Sequence, residues 1–339
     1  MRFKNQLLSG FILLVSLCQS CIPFSEKDYG RITCKGVAPQ AIGQDLSFVD
    51  DTTAVLVTSD LSRRDISLLV SKDGGKNWTS GPALDSAWSY CASIHRNQTL
   101  YLALYRQDSV QCSVLEWKVP DNQVRWLQVG TTPVYRNGMW FSDNEIIVLV
   151  NSGVGYEADL LSLDTASPEV RYVRHLHNRV STLNMVGSGY VVSDSREDGI
   201  ILDGPEEYLR LQKGVCLRPF AIRGEHVIMS EALSFQASSS SPFLQSWNTR
   251  TGEVDTLYCF KGYDEVRLFY AEDNLFVGYV MKQSGGFPGK DVAYSSDGGH
   301  QWTIREMDAF GQACECVYKD RLFVYQDGYL RWFSISNQR

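Results

Sequence analysis

Three arginines occupy matching places in the chain. Arg136, Arg179 and Arg218 each stand at or just before a short strand-like run that opens a repeating unit. Guanidinium groups converging from neighbouring units would grip a carboxylate, sulfate or phosphate through paired N–H bonds. Tyr135, Trp88 and Asp264, with Asp85 and Glu265, fall at comparable points and would share the same rim. The competing reading pairs each arginine with a local carboxylate or leaves it in solvent.

Other chemistry finds less support. Asp264 and Glu265 could form an acid/base pair, but adjacent strand residues face opposite sides. Arg196-Glu197-Asp198 reads as a solvated charged turn. His175 and His177 share one face of a strand without further ligands nearby in sequence, and His95, His226 and His300 are isolated. Cys314-Glu315-Cys316 lacks a second pair at zinc-like spacing, so it reads as two small residues on one face of an inner strand. No His-Glu-x-x-His, Gly-x-Ser-x-Gly, phosphate-loop or dinucleotide pattern occurs. The expectation is therefore no metal and no cofactor. A net charge of −7 argues against nucleic acid as a partner.

The elements that must position the arginines are strands. Ser71-Lys72-Asp73-Gly74-Gly75-Lys76-Asn77-Trp78 and Ser295-Ser296-Asp297-Gly298-Gly299-His300-Gln301-Trp302 both read Ser-x-Asp-x-Gly-x-x-Trp, each between strand-like runs. In such a turn Ser and Asp accept backbone N–H bonds, Gly takes the left-handed position, and Trp starts the outgoing strand and packs back. The two copies lie 224 positions apart (71 to 295), five steps of about 45. Weaker turns fall near that interval at Pro120-Asp121-Asn122, Asp164 to Pro168, Asp203-Gly204-Pro205 and Asn248 to Glu253. Ser162-Leu163-Asp164 looks like a worn copy of the motif. The three strand-like runs after Trp302 lack a fourth, and Arg31 to Val37 is a run without a partner. Joining them completes a seventh unit and closes a ring without exposed sheet edges.

At Ser71, Asp73, Gly75, Trp78 and at Ser295, Asp297, Gly299, Trp302 the chain resembles the Asp-box (BNR) repeat of sialidases, sortilin-type receptors and photosystem assembly factors. The resemblance implies an all-β β-propeller of four-stranded antiparallel blades. The spacing favours seven blades; six is the alternative, because the fourth unit is short. Asp-box turns would lie on one face. The long connections, including Gly153-Val154-Gly155-Tyr156, Ser238 to Pro242 and Ser284 to Gly289, would gather on the other, where binding is expected. A sialidase would carry an Arg-Ile-Pro motif before the first box. Here that strand reads Asp45-Leu46-Ser47-Phe48-Val49, so a diverged glycoside hydrolase using the three arginines is the second reading.

The amino terminus reads as an export signal, with Arg2 and Lys4 before an apolar run from Leu7 to Leu17. Cys21 after Ser20 resembles the lipidated cysteine of a bacterial lipobox; simple cleavage after Ser20 is the alternative. The expected organisation is a signal over 1–20, a lipidated tether over 21–30 and one propeller over 31–339. Of the remaining cysteines, Cys91–Cys112 and Cys216–Cys259 are conceivable disulfides. These features together lead to an exported protein, held by lipid at the periplasmic side of an outer membrane. It would bind a glycan or protein on its long-loop face without catalysis. A partner-blocking inhibitor or immunity lipoprotein is one form this could take.

Overall fold

The structure, a computed structural model, describes residues 29–335 apart from 39, 61–64, 107, 154–156, 168, 177–182, 187–188, 193–198, 204–205, 212–216, 232–241, 285–286 and 308–312. The expected signal, Cys21 and nearly all of the tether lie outside the described residues. Among the described residues, no helix is long and apolar enough to cross a membrane.

Strand β1 (Tyr29–Thr33) precedes six sheets formed in chain order. The first is β2 (Ala41–Phe48), β3 (Ala54–Asp60), β4 (Ile66–Ser71) and β5 (Trp78–Ser80). The second is β6 (Trp88–Arg96), β7 (Thr99–Arg106), β8 (Gln111–Lys118) and β9 (Gln123–Gly130). The third is β10 (Val134–Ser142), β11 (Glu145–Asn151), β12 (Ala158–Asp164) and β13 (Val170–Leu176). The fourth is β14 (Leu183–Val186), β15 (Gly189–Val192), β16 (Gly199–Asp203) and β17 (Glu206–Leu211). The fifth is β18 (Leu217–Arg223), β19 (His226–Glu231), β20 (Phe243–Asn248) and β21 (Val254–Cys259). The sixth is β22 (Glu265–Glu272), β23 (Leu275–Ser284), β24 (Phe287–Ser295) and β25 (Thr303–Glu306). The last sheet joins both ends of the chain in the order β1, β28 (Tyr329–Ser334), β27 (Arg321–Gln326), β26 (Cys314–Tyr318). Tyr29 lies opposite Phe333 and Thr33 opposite Tyr329.

The first strands of successive sheets are neighbours: β26 with β2, β2 with β6, β6 with β10, β10 with β14, β14 with β18, and β18 with β22. A ring of antiparallel sheets with their first strands innermost is a β-propeller. The second strands lie between neighbouring sheets on both sides, which explains their unbroken apolar runs. Val55 to Val57, Leu100 to Leu104, Ile146 to Val150 and Leu322 to Tyr325 are all buried. Each such side chain contributes roughly 1.5–3 kcal/mol on burial.

One face of the ring is built from interlocking turns. Asn97, Asp143, Gly224, Asp273 and Lys319 each take a left-handed φ between first and second strands. The carbonyl one residue further on accepts a backbone N–H from the turn between third and fourth strands. The pairs are Val119 to Gln98 (3.1 Å), Thr165 to Asn144 (3.4 Å), Thr249 to Glu225 (2.8 Å) and Gly298 to Asn274 (2.9 Å), with Gly74 to Thr52 (2.8 Å) in the first sheet. This recurring bond satisfies turn backbone that would otherwise be stranded, and it explains the period read from sequence.

The two Ser-x-Asp turns are alike bond for bond. Ser71 Oγ donates to Asp73 (2.8 Å) and accepts from Gly75 N (2.9 Å), and Asp73 Oδ1 accepts from Lys76 N (3.1 Å) and Asn77 N (2.9 Å). Ser295 Oγ donates to Asp297 (2.8 Å) and accepts from Gly299 N (2.9 Å), and Asp297 Oδ1 accepts from His300 N (3.0 Å) and Gln301 N (2.9 Å). Trp78 and Trp302 donate indole N–H to Gly75 and Gly299 carbonyls, both at 2.8 Å. Their packing extends beyond the hairpin that the sequence suggests. Trp78 is buried with Cys34 and Leu330 of the closing sheet. Lys35, just beyond β1, bonds to Lys76 O and receives Trp78 N. Trp302 packs edge-on against Phe260, which follows the fifth sheet, at 5.0 Å. Ser162 departs from the motif: its hydroxyl donates to Glu145 (2.6 Å), while Asp164 accepts from Ala166 N (2.8 Å).

Cys91 and Cys112 carry free thiols in one buried cluster, so that pairing is not made. Burial pushes them up to about 12 and about 11. Cys259 is free, and Cys216 lies outside the described residues. Cys314 and Cys316 share the buried face of β26, as the sequence suggests. Among the described residues no group of three His, Cys, Asp or Glu is arranged to hold a metal ion.

Candidate functional site

The sequence-predicted rim maps onto the starts of first strands. Trp88 opens β6, Tyr135 and Arg136 are second and third in β10, Arg218 is second in β18, and Asp264 immediately precedes β22. These starts lie at the ends of the strands remote from the first-to-second-strand turns, and so on the face opposite the Ser-x-Asp turns. Arg179 lies outside the described residues, and only the backbone of Arg136 and Arg218 is described. Trp88 is buried and stacks on exposed Trp126 (ring centroids 5.0 Å). Arg106 lies 5.8 Å above the Trp88 ring and pairs with Asp85 (3.4 Å) and Asp108 (2.9 Å). Asp264 is exposed, with its backbone N–H on Met281 O (2.8 Å). Glu265 pairs with Arg267 on its own strand (2.9 Å).

Tyr135 belongs to a network that the sequence did not reveal. Its hydroxyl donates to Glu157 O (3.2 Å) in the β11–β12 connection. His175 sits between two carboxylates, with Nδ1 on Asp159 (2.7 Å) and Nε2 on Glu157 (3.1 Å). Asp159 and then Glu157 raise its pKa, and the two bonds tie the connection to β13. His177 lies outside the described residues.

A second constellation lines the middle of the ring, where β26, β2 and β6 meet. Asp45 on β2 is hydrogen-bonded by Ser93 of β6 and by Ser47 (3.3 Å). His95 of β6 faces it. Glu315 lies on the other face of β26 from Cys314 and Cys316, turned toward the sixth sheet, with Tyr279 of β23 and Lys290 of β24 beside it. Desolvation raises both carboxyls. Asp45 is partly offset by Ser93 and His95, while Glu315 reaches about 7 even with Lys290 nearby. Desolvation lowers the pKa of His95, and Asp45 opposes that shift. Asp45 and Glu315 are only half-buried and His95 is exposed. Groups surrounded by protein that still touch water are what a central channel wall provides.

Tyr279 is 7% exposed and packs between the sixth and closing sheets, with its hydroxyl beside the Glu315 carboxyl. A bonded tyrosine–glutamate pair does exist, Tyr270 with Glu272. It sits beside the first-to-second-strand turn of the sixth sheet, on the Ser-x-Asp face and away from the arginine positions. The channel layer could have been noticed from one signal: Asp45 and Glu315 are carboxyls inside otherwise small or apolar first strands, in the two sheets that meet at ring closure.

No family model matches this chain, and no curated protein matches its sequence. Solved structures do match its fold. A structure described as YCF48 bound to D1 peptide is 14% identical, with a TM-score of 0.59, covering 94% of this chain and 98% of that one. An oligogalacturonate lyase from Vibrio parahaemolyticus is 9% identical with a TM-score of 0.56, covering 91% and 97%. The β-propeller domain of the Trilobed protease from Pyrococcus furiosus is 11% identical with a TM-score of 0.53, covering 84% and 90%. At these identities the likeness is one of fold: the chain is similar to β-propellers over nearly its whole described length.

Proposed function

We propose that this chain is a seven-bladed, Asp-box-type propeller that is exported, anchored through lipid on Cys21, and works as a non-catalytic binding module. Its partner is a protein of the cell envelope, docked on the long-connection face. The observation that carries this reading is positional. Trp88, Tyr135, Arg136, Arg218 and Asp264 all fall at first-strand starts on the face opposite the interlocking turns. Seven four-stranded sheets support the blade count. The propeller described with a bound D1 peptide, whose fold this chain shares, supports a peptide or protein as the occupant. Arg136, Arg179 and Arg218 would receive an acidic group of that partner, as paired N–H donors do.

The test uses the mature chain and an R136E/R218E double variant of matched thermal stability. Cross-linking in intact envelopes is expected to trap a protein with the wild type that the variant loses. Binding on a glycan array with no trapped protein would move the partner to the glycan class. Hydrolysis of a sialoside reporter by the folded chain would overturn the non-catalytic reading. Mass analysis of the amino-terminal peptide, with Cys21→Ser as control, tests the anchor.

A further inference from the structure

The outer part of the groove between the first and second sheets is open. Strand β5 is three residues long and pairs only with Leu69 to Ser71. The chain then leaves the edge at Gly81, so close to the Trp117 ring that a Cβ there would stand 2.7 Å from it. From Gly81 the chain passes to β6, the innermost strand of the second sheet. Trp126 of β9 lies opposite Leu115 and so shares its side of the sheet. That side packs against Val55, Val57 and Leu68 of the first sheet. A tryptophan aimed between two sheets is ordinarily buried. Trp126 keeps 42% of its surface in solvent, because the outer strand of the first sheet stops short of it.

One face of this indole is already taken. Trp88 stacks on it at 5.0 Å with 22° between the planes, and Trp88 itself is 6% exposed. The buried ring fixes the exposed one, so the open face is a flat, preformed apolar surface. The register surrounds it with polar groups on the same side of the sheet. Gln128, two residues beyond Trp126, is exposed and lies opposite Ser113. Arg106 lies between Trp88 and Gln111 in neighbouring strands. It bonds to Asp108 (2.9 Å) and Asp85 (3.4 Å), whose side chains are 57% and 74% exposed. Their remaining lone pairs face water. Trp88 neighbours both Trp126 and Arg106, so the platform and the acidic cluster lie within reach of one short chain of sugars.

We propose that this cleft binds a neutral oligosaccharide. One pyranose ring lays its C–H face on the open face of Trp126, and Gln128 bonds to hydroxyls of that ring. Asp85, Asp108 and Arg106 bond to hydroxyls of adjoining units. A sugar presents an apolar C–H face within a belt of hydroxyls that donate and accept. An indole bordered by amide, carboxylate and guanidinium groups is its complement. Two carboxylates around one guanidinium leave an excess negative charge, which opposes uronates and sialic acids. None of Arg136, Arg179 and Arg218 belongs to this cleft, so it stands apart from the arginine positions.

The experiment is isothermal titration calorimetry of the mature chain with cellotetraose, maltotetraose, mannotetraose and tetragalacturonate. Saturable binding of at least one neutral tetrasaccharide is expected, with tetragalacturonate at least tenfold weaker. Trp126→Ala should weaken the neutral sugar at least tenfold in a chain that still unfolds cooperatively. Trp126→Phe keeps a flat ring and should hold affinity within about threefold. Asp85→Asn combined with Asp108→Asn should weaken the neutral sugar severalfold and admit tetragalacturonate, because Arg106 is then unmatched. Failure of every neutral tetrasaccharide to saturate at about 10 mM would overturn the proposal. So would equal affinity in a folded Trp126→Ala chain, or a preference of the wild type for tetragalacturonate. Loss of a cross-linked envelope protein in Trp126→Ala, with no sugar bound by the wild type, would overturn it in favour of a protein surface. Sugar binding that survives in R136E/R218E and disappears in Trp126→Ala belongs to this cleft, whatever the arginine positions bind.

Discussion

The Ser-x-Asp turns and the channel layer use the same acidic chemistry to opposite ends. In the turns, N–H bonds from Asn77, together with its side chain, hold Asp73 down at about 2. Asp297 is also lowered: burial opposes this, but the N–H bonds of Gln301 and His300 outweigh it. Every strong acceptor there is occupied, and the carboxylate serves the fold. On the inner strands β2 and β26, desolvation dominates, and Asp45 and Glu315 are raised. Acids that stabilise a fold are hydrogen-bonded in their charged form. Acids desolvated without enough donors are raised instead.

The comparison can be broken most forcefully at the turns. Trp78→Ala is expected to cost about 3–5 kcal/mol, because the indole is 4% exposed and seals the junction between the first and closing sheets. Trp302→Ala should cost less, because that ring is only half-buried. Urea unfolding of both variants measures the difference, and equal losses would erase the distinction between a closing turn and an ordinary one.

Glu315→Gln should act in the opposite direction. The folded value of about 7 lies above the ordinary 4.5. The native state therefore binds the extra proton, and stability falls as pH rises from about 4.5 to about 7, then levels. Removing the charge should raise stability at pH 8 by on the order of 3 kcal/mol and leave pH 4 unchanged. Chemical denaturation at the two pH values checks this. A loss at pH 8 would mean that Glu315 is a structural acid like Asp73.

His175 offers a graded contrast on the rim. Its folded pKa is raised by Asp159 and Glu157, so its stabilisation is complete below about 6.5, the ordinary histidine value, and disappears as pH rises through the folded value. Hydrogen exchange in β12 and β13 should quicken over that range, and His175→Ala should abolish the pH dependence. The smallest effect is expected for Tyr279→Phe. It removes the hydroxyl beside Glu315 and should change stability by less than about 1 kcal/mol. A larger loss would reveal a structural bond.

The turns were legible because their information is local. Ser71 to Trp78 contains its own donors and acceptors, and the interval to Ser295 follows from turns that interlock sheet by sheet. The closing sheet could be read from strands left over at each end of the chain. Asp45, Tyr279 and Glu315 could not be read that way, because only ring closure brings β2, β23 and β26 together. Glu315 looked like a spacer between Cys314 and Cys316, and Asp45 like an ordinary strand residue standing where an arginine was sought. His175 shows no partner nearby in sequence because Glu157 and Asp159 lie across a strand pair.

The central claim is that Glu315, unlike Asp73, is an acid whose burial makes its charge costly. Carbon-13 NMR of the glutamate side-chain carboxyls, with Glu315→Gln to assign the resonance, tests it most directly. The prediction is a titration near 7. A carboxyl titrating near the ordinary 4.5 would contradict it.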